Sequence, residues 1–318
     1  MEKTVTNKEK YRRFCKTEIT IPIFSKDWWL DAVCGENNWD VAIIEKGGEI
    51  VASMPYMLRK KYYLTICDMP QLTQTLGPWL KTSKAKYAKQ LSSQKKIMHE
   101  LIKQLPRFDY FAQNFHYSVA NWLPFYWNGF EQTTRYTYVI DELISEKSLW
   151  NELLPNIRTD IKKAENRFNL IVNTDINIDT FLNINELTFA AQKKKLPYSR
   201  KLVKRIENVC IHNNCRRIFY VQDKDRKIHA AIYIIWDSNS AYYLMGGSDP
   251  DLRNSGATSL CIWEAIKFSS TVVKKFDFEG SMIEPVERFF RAFGAKQMPY
   301  LRISKTTSRL LKLLKALK

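Results

Sequence analysis

Residues 241–268 read AYYLMGGSDPDLRNSGATSLCIWEAIKF. The stretch opens as an apolar strand, AYYLMGG, that stops on paired glycines. A polar turn, SDPDLRNS, follows, and from Gly256 the spacing of apolar residues becomes helical. Strand, polar loop and helix in that order place the free N–H groups of a helix start at the mouth of the loop. Such a start, with its positive dipole end, is suited to an anion such as a pyrophosphate. Arg253, Asn254, Ser255, Gly256, Ala257 and Thr258 are the candidates for holding it, with Gly256 allowing close backbone approach.

Downstream, FDFEGS (residues 276–281) alternates phenylalanine with carboxylate. On a strand, Phe276 and Phe278 enter a core while Asp277 and Glu279 share the other face. Two acids side by side are a candidate proton-transfer pair. A helix, PVERFFRAFGA, and a strand, MPYLRISK, come next.

Upstream the plan is similar. Two strands flank Gly47-Gly48, a hairpin signal. SSQKKIMHELIKQLPRF has helical spacing, and RFDYFAQNFHY reads as a strand. An aromatic segment, a turn at Asn128-Gly129 and another strand complete the first half. Ser145 and Ser148 are N-cap candidates for helices interrupted at Pro155. A strand, two helices and three strands then lead to residue 241. Both halves read as α/β units of mostly antiparallel mixed sheet flanked by helices. They are assigned to residues 1–140 and 141–305, with a basic amphipathic helix at 306–318.

Lys and Arg number 50 against 33 Asp and Glu, a net charge of +17. The excess is spread along the chain, 20 minus 13 through Ile140 and 30 minus 20 after it. It points to an anionic partner: a phosphorylated cofactor, an acidic membrane surface or nucleic acid. The six cysteines are scattered, as in a reduced cytosolic protein. CIHNNC (residues 210–215) lacks the second pair that a structural zinc site requires, so no metal is expected. Neither a signal peptide nor an apolar run of ~20 residues is apparent, and a cytoplasmic protein is expected, with peripheral attachment to a membrane face as the variant. In the last segment, Leu310, Leu313, Leu314 and Leu317 form one apolar stripe among Arg309, Lys312, Lys315 and Lys318, a pattern suited to an anionic bilayer surface.

RNSGAT resembles the phosphate-binding signature of the GCN5-related N-acetyltransferase (GNAT) superfamily, Gln/Arg-x-x-Gly-x-Gly/Ala, with Thr258 in place of the last small residue. Together with GGSDPDLRNSGATSLCIWEAIKF, FDFEGS, ERFFRAFGAKQMPY, TDIKKAEN and NGFEQTTRYTYVID, it resembles the FemAB-like branch of that superfamily over residues 125–305. Residues 1–124 match in element order only. The branch includes peptidoglycan aminoacyltransferases and acetyltransferases of polysaccharide gene clusters.

The resemblance implies two GNAT-like units and transfer of an acyl group to an amine or hydroxyl. The acceptor would be a small-molecule or lipid-linked sugar or another cell-envelope precursor. The donor implied is acetyl-CoA or another acyl-CoA; the alternative is an aminoacyl-tRNA, and tRNA is a partner only under that alternative. The strands before and after the signature helix would splay, with an oxyanion-stabilising N–H among Leu244, Met245, Gly246 and Gly247. Glu279 is the first candidate base and Asp277 the second. Tyr242, Tyr243 and Tyr300 are candidate acids. AAQKKKLPYSRKLVKR resembles the acceptor-side segment of the branch, which makes Lys194, Lys195, Tyr198 and Arg200 candidates for substrate binding. A non-catalytic basic binding protein on a degenerate GNAT fold is the remaining reading.

Overall fold

A computed structural model of the chain describes residues 5–316. In order these are α1 (Asn7–Thr17), α2 (Asp27–Cys34), β1 (Trp39–Lys46), β2 (Glu49–Met57), β3 (Arg59–Lys61), β4 (Leu64–Cys67), β5 (Trp79–Leu80), α3 (Tyr87–Lys103), β6 (Tyr110–Asn114), α4 (Leu123–Trp127) and β7 (Glu131–Ile140). They continue as α5 (Glu146–Glu152), α6 (Pro155–Asn166), β8 (Ile171–Thr174), α7 (Ile178–Ala191), α8 (Arg200–His212), β9 (Arg216–Gln222), β10 (Ile228–Trp236), β11 (Ser240–Ser248), α9 (Ala257–Ser269), β12 (Lys275–Asp277), α10 (Glu284–Arg291), β13 (Lys296–Thr306) and α11 (Arg309–Ala316). Two compact units result: Met1–Arg135 with Pro299–Lys318, and Tyr136–Met298. The chain passes from one to the other within β7 and again within β13. The expected second unit, 141–305, includes residues 299–305. Pairing of β13 with β6 from Arg302 to Thr306 brings them into the first.

In the first unit β1, β2 and β5 form an antiparallel sheet around the Gly47-Gly48 turn. A second sheet runs β3-β4-β6-β13, with β4 parallel to β6 and the other pairs antiparallel. Met98 and Leu101 of α3 pack with Phe111, Phe125, Phe130 and Ile303 in one core. Tyr11, Leu30, Trp39 and Val41 anchor α1 and α2 over β1 in another.

In the second unit the strand order is β7-β12-β11-β10-β9-β8, with β11 and β12 the one parallel pair among these described strands. Phe276 and Phe278 are fully buried, as the alternation in FDFEGS requires, and α10 closes over them through Phe290 and Phe293. The rings of Phe278 and Phe290 stack with centroids 4.9 Å apart. Burying one such side chain contributes about 1.5–3 kcal/mol. Local rules set the helix starts: Ser145, Asn177 and Ser199 each accept a backbone N–H as N-cap of α5, α7 and α8. Ser148 is inside α5 and supplies the amide that Ser145 accepts.

Two glycines let helices approach the backbone of this sheet and its loop. A Cβ on Gly247 would lie 2.5 Å from the Cα of Asn185 in α7. A Cβ on Gly256, whose φ is +79°, would lie 2.2 Å from the carbonyl oxygen of Asp160 in α6. Gly256→Ala therefore meets both a left-handed backbone and a backbone clash, and is expected to cost about 2–4 kcal/mol in denaturant unfolding. Gly247→Ala, with the clash alone, is expected to cost about 1–3 kcal/mol. An unchanged unfolding midpoint in either variant contradicts this packing account.

Candidate active site

The site is built where β11 and β12 part. They pair in parallel at Ser240–Lys275, Ala241–Phe276 and Tyr242–Asp277, and the pairing stops there. On the β11 side the register to β10 shifts between Tyr233 and Ile234, which leaves Leu244 as an extra, bulged residue. On the β12 side the chain is held against β7: the Phe278 amide donates to the Tyr138 carbonyl at 2.9 Å, and the Thr137 hydroxyl donates to Asp277 Oδ1 at 2.5 Å. The result is a wedge between residues 243–248 and residues 278–280.

The β11 wall of the wedge is partly capped by α7. Asn185 Nδ2 donates to the Gly246 carbonyl at 2.6 Å, and the Ser248 amide donates to Thr188 Oγ1 at 2.8 Å. In a strand the N–H and C=O of one residue leave on the same side. The Gly246 amide thus points away from β10, toward the side on which β12 has parted. It is the best-placed oxyanion donor among residues 244–247. Leu244 and Met245 are buried wall residues. The Tyr243 ring lies across Gly246, so that a Cβ there would fall 1.8 Å from the phenolic oxygen. Burial raises the Tyr243 phenol well above its ordinary pKa, so it stays protonated. Phe290 lines the wedge between Phe278 and Tyr243, its centroid 5.5 Å from the tyrosine ring, and makes this wall apolar.

Asp277 is 3% exposed. Besides Thr137 it accepts the Glu279 amide at 2.8 Å, so it caps the turn that follows. Burial pushes its carboxyl up to about 6. Glu279 does not continue the strand: β12 ends at Asp277, and Glu279 has φ +58°. This left-handed turn, not strand alternation, positions its carboxyl, whose Oε1 is buried. Burial first, and the charge of Asp277 second, raise the Glu279 pKa well above the carboxylate range. A non-glycine residue in this backbone region carries about 1–3 kcal/mol of strain, a cost that recurs at functional positions.

Other candidates are placed differently. Residues Pro250–Ser255 form a 3-10 turn, not an open anion-binding loop. Arg253 and Asn254 are exposed, whereas Ser255, Gly256 and Ala257 are buried and Thr258 is half-buried. The freedom of Gly256 serves the approach of α6, and Asp160 of that helix accepts the Ser259 hydroxyl at 3.5 Å in the first turn of α9. Residues 255–257 of the expected phosphate-binding loop are thus packed beside α6. Tyr242 is buried and donates to Asp237 Oδ2 at 3.0 Å, on the sheet side of the wedge. Tyr300 is a buried residue of β13 in the first unit.

Tyr198 is brought to the wedge indirectly. Its hydroxyl donates to Asn185 Oδ1 at 2.8 Å, and Asn185 holds the Gly246 carbonyl. Burial pushes the Tyr198 phenol up to about 12. Arg200 is engaged by Glu186 at 2.9 Å and Asp179 at 3.1 Å, which neutralises it. Lys194 and Lys195 are exposed on the loop before α8. Sequence reasoning missed Asn185 and Thr188. They sit one turn apart on α7, and only their position beside Gly246 and Ser248 gives them a role. Among the described residues no group of His, Cys, Asp and Glu gathers as a metal site, and the six cysteines are free.

With this geometry in hand, similarity to known proteins can be stated. The family model of the acetyltransferase (GNAT) domain matches residues 154–285. A crystal structure of FemX superposes with a TM-score of 0.68 at 12% identity, covering 99% of each chain. The C-terminal domain of a putative lysylphosphatidylglycerol synthetase from Agrobacterium fabrum superposes at 0.57 and 12% identity, covering 98% of this chain and 96% of that one. A tandem GNAT protein from the clavulanic acid biosynthesis pathway superposes at 0.50 and 11% identity, covering 88% and 94%. No curated protein sequence matches the chain. A parallel pair that parts at a bulged strand, within one of two mixed-sheet units, agrees with these likenesses: the chain has a two-unit, FemAB-like GNAT fold, and residues 154–285 of its second unit are similar to the acetyltransferase (GNAT) domain.

Proposed function

We propose that the chain transfers an acyl group to an amine or hydroxyl in the wedge between β11 and residues 278–280. The observation that carries this reading is the parting of the two strands beyond Tyr242–Asp277, with the Gly246 amide on one wall and a raised carboxyl on the other. The acyl carbonyl accepts the Gly246 N–H, which stabilises the oxyanion as it forms. Glu279, as carboxylate, takes the proton of the attacking nucleophile. The Tyr243 phenol donates a proton to the leaving group. Asp277 keeps the Glu279 turn in place and raises its basicity. The acceptor is a sugar or cell-envelope precursor, a small molecule or one carried on a lipid, approached from the side of Tyr198, Lys194 and Lys195.

The GNAT domain match supports an acyl-CoA donor. A specific observation favours a second reading. With Ser255–Ala257 buried under α6, a donor that needs a pyrophosphate seat there is at a disadvantage, and an aminoacyl-tRNA, bound through its polyanionic backbone by a chain of net charge +17, is not. Thermal shift with acetyl-CoA and with aminoacyl-tRNA separates the two, because the true donor raises the melting temperature by linkage. Stabilisation by neither removes the acyl-transfer reading.

Glu279→Gln is expected to lower kcat roughly 10²–10⁴-fold while leaving donor binding intact. In the native chain kcat rises with pH as Glu279 ionises, at a pH above the ordinary carboxylate range because its pKa is raised. Full activity in Glu279→Gln with the native acceptor removes Glu279 from the role.

Asp277 gives a prediction that needs no substrate. Its folded pKa is raised from 3.8 to about 6, so its proton favours the folded state, and that contribution is lost as pH rises through 6. An amide at this position still accepts from Thr137 and from the Glu279 amide. Asp277→Asn is therefore expected to lose less stability than the native chain between pH 5 and pH 8, by about 1.4 kcal/mol, the worth of the one pH unit between 5 and the folded pKa. Parallel pH dependences of unfolding contradict the assignment.

A further inference from the structure

The first unit presents a surface that the chemistry above does not use. Lys61 pairs with Leu64, so the β3–β4 hairpin turns on two residues, Tyr62 and Tyr63. Two-residue turns favour Asn-Gly because the turn demands positive φ. Here Tyr62 has φ +54°, and the two rings are 88% and 102% exposed. A tyrosine held in that backbone at a hairpin tip, in water, is unfavourable on both counts. Lys60 and Lys61 flank it. Arg59 is neutralised by Asp68, but no described carboxylate lies within ion-pair distance of either lysine.

The start of α11 emerges from the same end of this sheet. Asp109 ties the two together: its carboxylate accepts the Thr65 amide at 2.8 Å, its amide donates to the Thr65 carbonyl at 2.8 Å, and its carbonyl accepts the Thr307 amide at 3.0 Å. Thr65 and Thr307 stand on β4 and just beyond β13, with β6 between them, hence ~10 Å apart at two strand spacings. Two residues beyond Thr307, α11 begins with Arg309, and Leu310 and Leu313 are 60% and 64% exposed beside Lys312. Leu314 and Lys315 lie in the same helix; Leu317 and Lys318 lie outside the described residues.

We infer that the β3–β4 tip and α11 together form a docking surface for an anionic lipid bilayer. Tyrosine rings settle at the headgroup level of a bilayer, and leucines on a basic helix enter the acyl boundary. Lys60, Lys61, Arg309 and Lys312 complement the acidic headgroups, while the carboxylates of Asp68 and Asp109 are engaged with Arg59 and Thr65. Nucleic acid would also take the lysines and stack on the tyrosines, but it gives exposed leucines no partner. The inference stands apart from the acyl-transfer reading, since its readout is binding.

The test is sedimentation of the full chain with phosphatidylglycerol vesicles and with phosphatidylcholine vesicles, at low and high salt, alongside a bulk tRNA binding assay. Tyr62→Asn/Tyr63→Gly installs the residues this turn favours, so it removes the rings without harming the hairpin. Leu310→Ser/Leu313→Ser removes the aliphatic face. The expected result is binding to phosphatidylglycerol vesicles, weakened by salt, and reduced about tenfold or more by each double variant at unchanged melting temperature. Three outcomes overturn the inference: no binding to anionic vesicles, equal binding by native chain and variants, or variants that lose tRNA while keeping vesicles.

Discussion

Everything assigned to the second unit depends on β11 and β12 separating after three residue pairs. Parallel neighbours in a sheet ordinarily continue to pair, since unmade backbone hydrogen bonds are costly when buried. Here each strand has another partner. The Tyr138 carbonyl and Thr137 hydroxyl hold the end of β12, and Asn185 and Thr188 take the exposed polar groups of β11. The bulge at Leu244 changes the course of β11 at the same level. The wedge is thus a satisfied structure on its outer sides that leaves the Gly246 amide on its inner side.

Electrostatics follow from this geometry. A carboxyl near the apolar wall of Phe278 and Phe290 cannot ionise at its ordinary pH, and two carboxyls two residues apart oppose each other's ionisation. Asp277 is fixed by two hydrogen-bond donors and cannot turn toward a substrate without releasing the Glu279 turn. In the proposed transfer Asp277 is the holding carboxyl and Glu279 the acting one.

Much of this was legible in the residues. The burial of Phe276 and Phe278, the helix after Gly256, the Gly47-Gly48 hairpin and the Ser145 cap follow from period and turn chemistry, which are local. Functions of single glycines were not legible. Gly256 reads as a phosphate-loop glycine, yet the group that demands it is the Asp160 carbonyl, almost a hundred residues earlier. Arg200 reads as a free anion-binding residue because its partners, Asp179 and Glu186, lie a helix away. The left-handed turn at Glu279 breaks the alternation that suggested a shared strand face, since nothing in a Glu-Gly pair announces positive φ at the glutamate. The Tyr62-Tyr63 hairpin is not legible either, because its turn residues are the opposite of a turn signal.

The central claim, that the wedge receives the acyl carbonyl at the Gly246 amide, is open to direct observation by amide NMR. The chain, labelled with ¹⁵N-glycine, is titrated with acetyl-CoA and, separately, with aminoacyl-tRNA. The account predicts that the donor that binds shifts the Gly246 amide resonance and slows its hydrogen exchange, while Gly47 and Gly48 in the hairpin of the first unit stay unchanged. Saturable donor binding that leaves the Gly246 amide unmoved would contradict it.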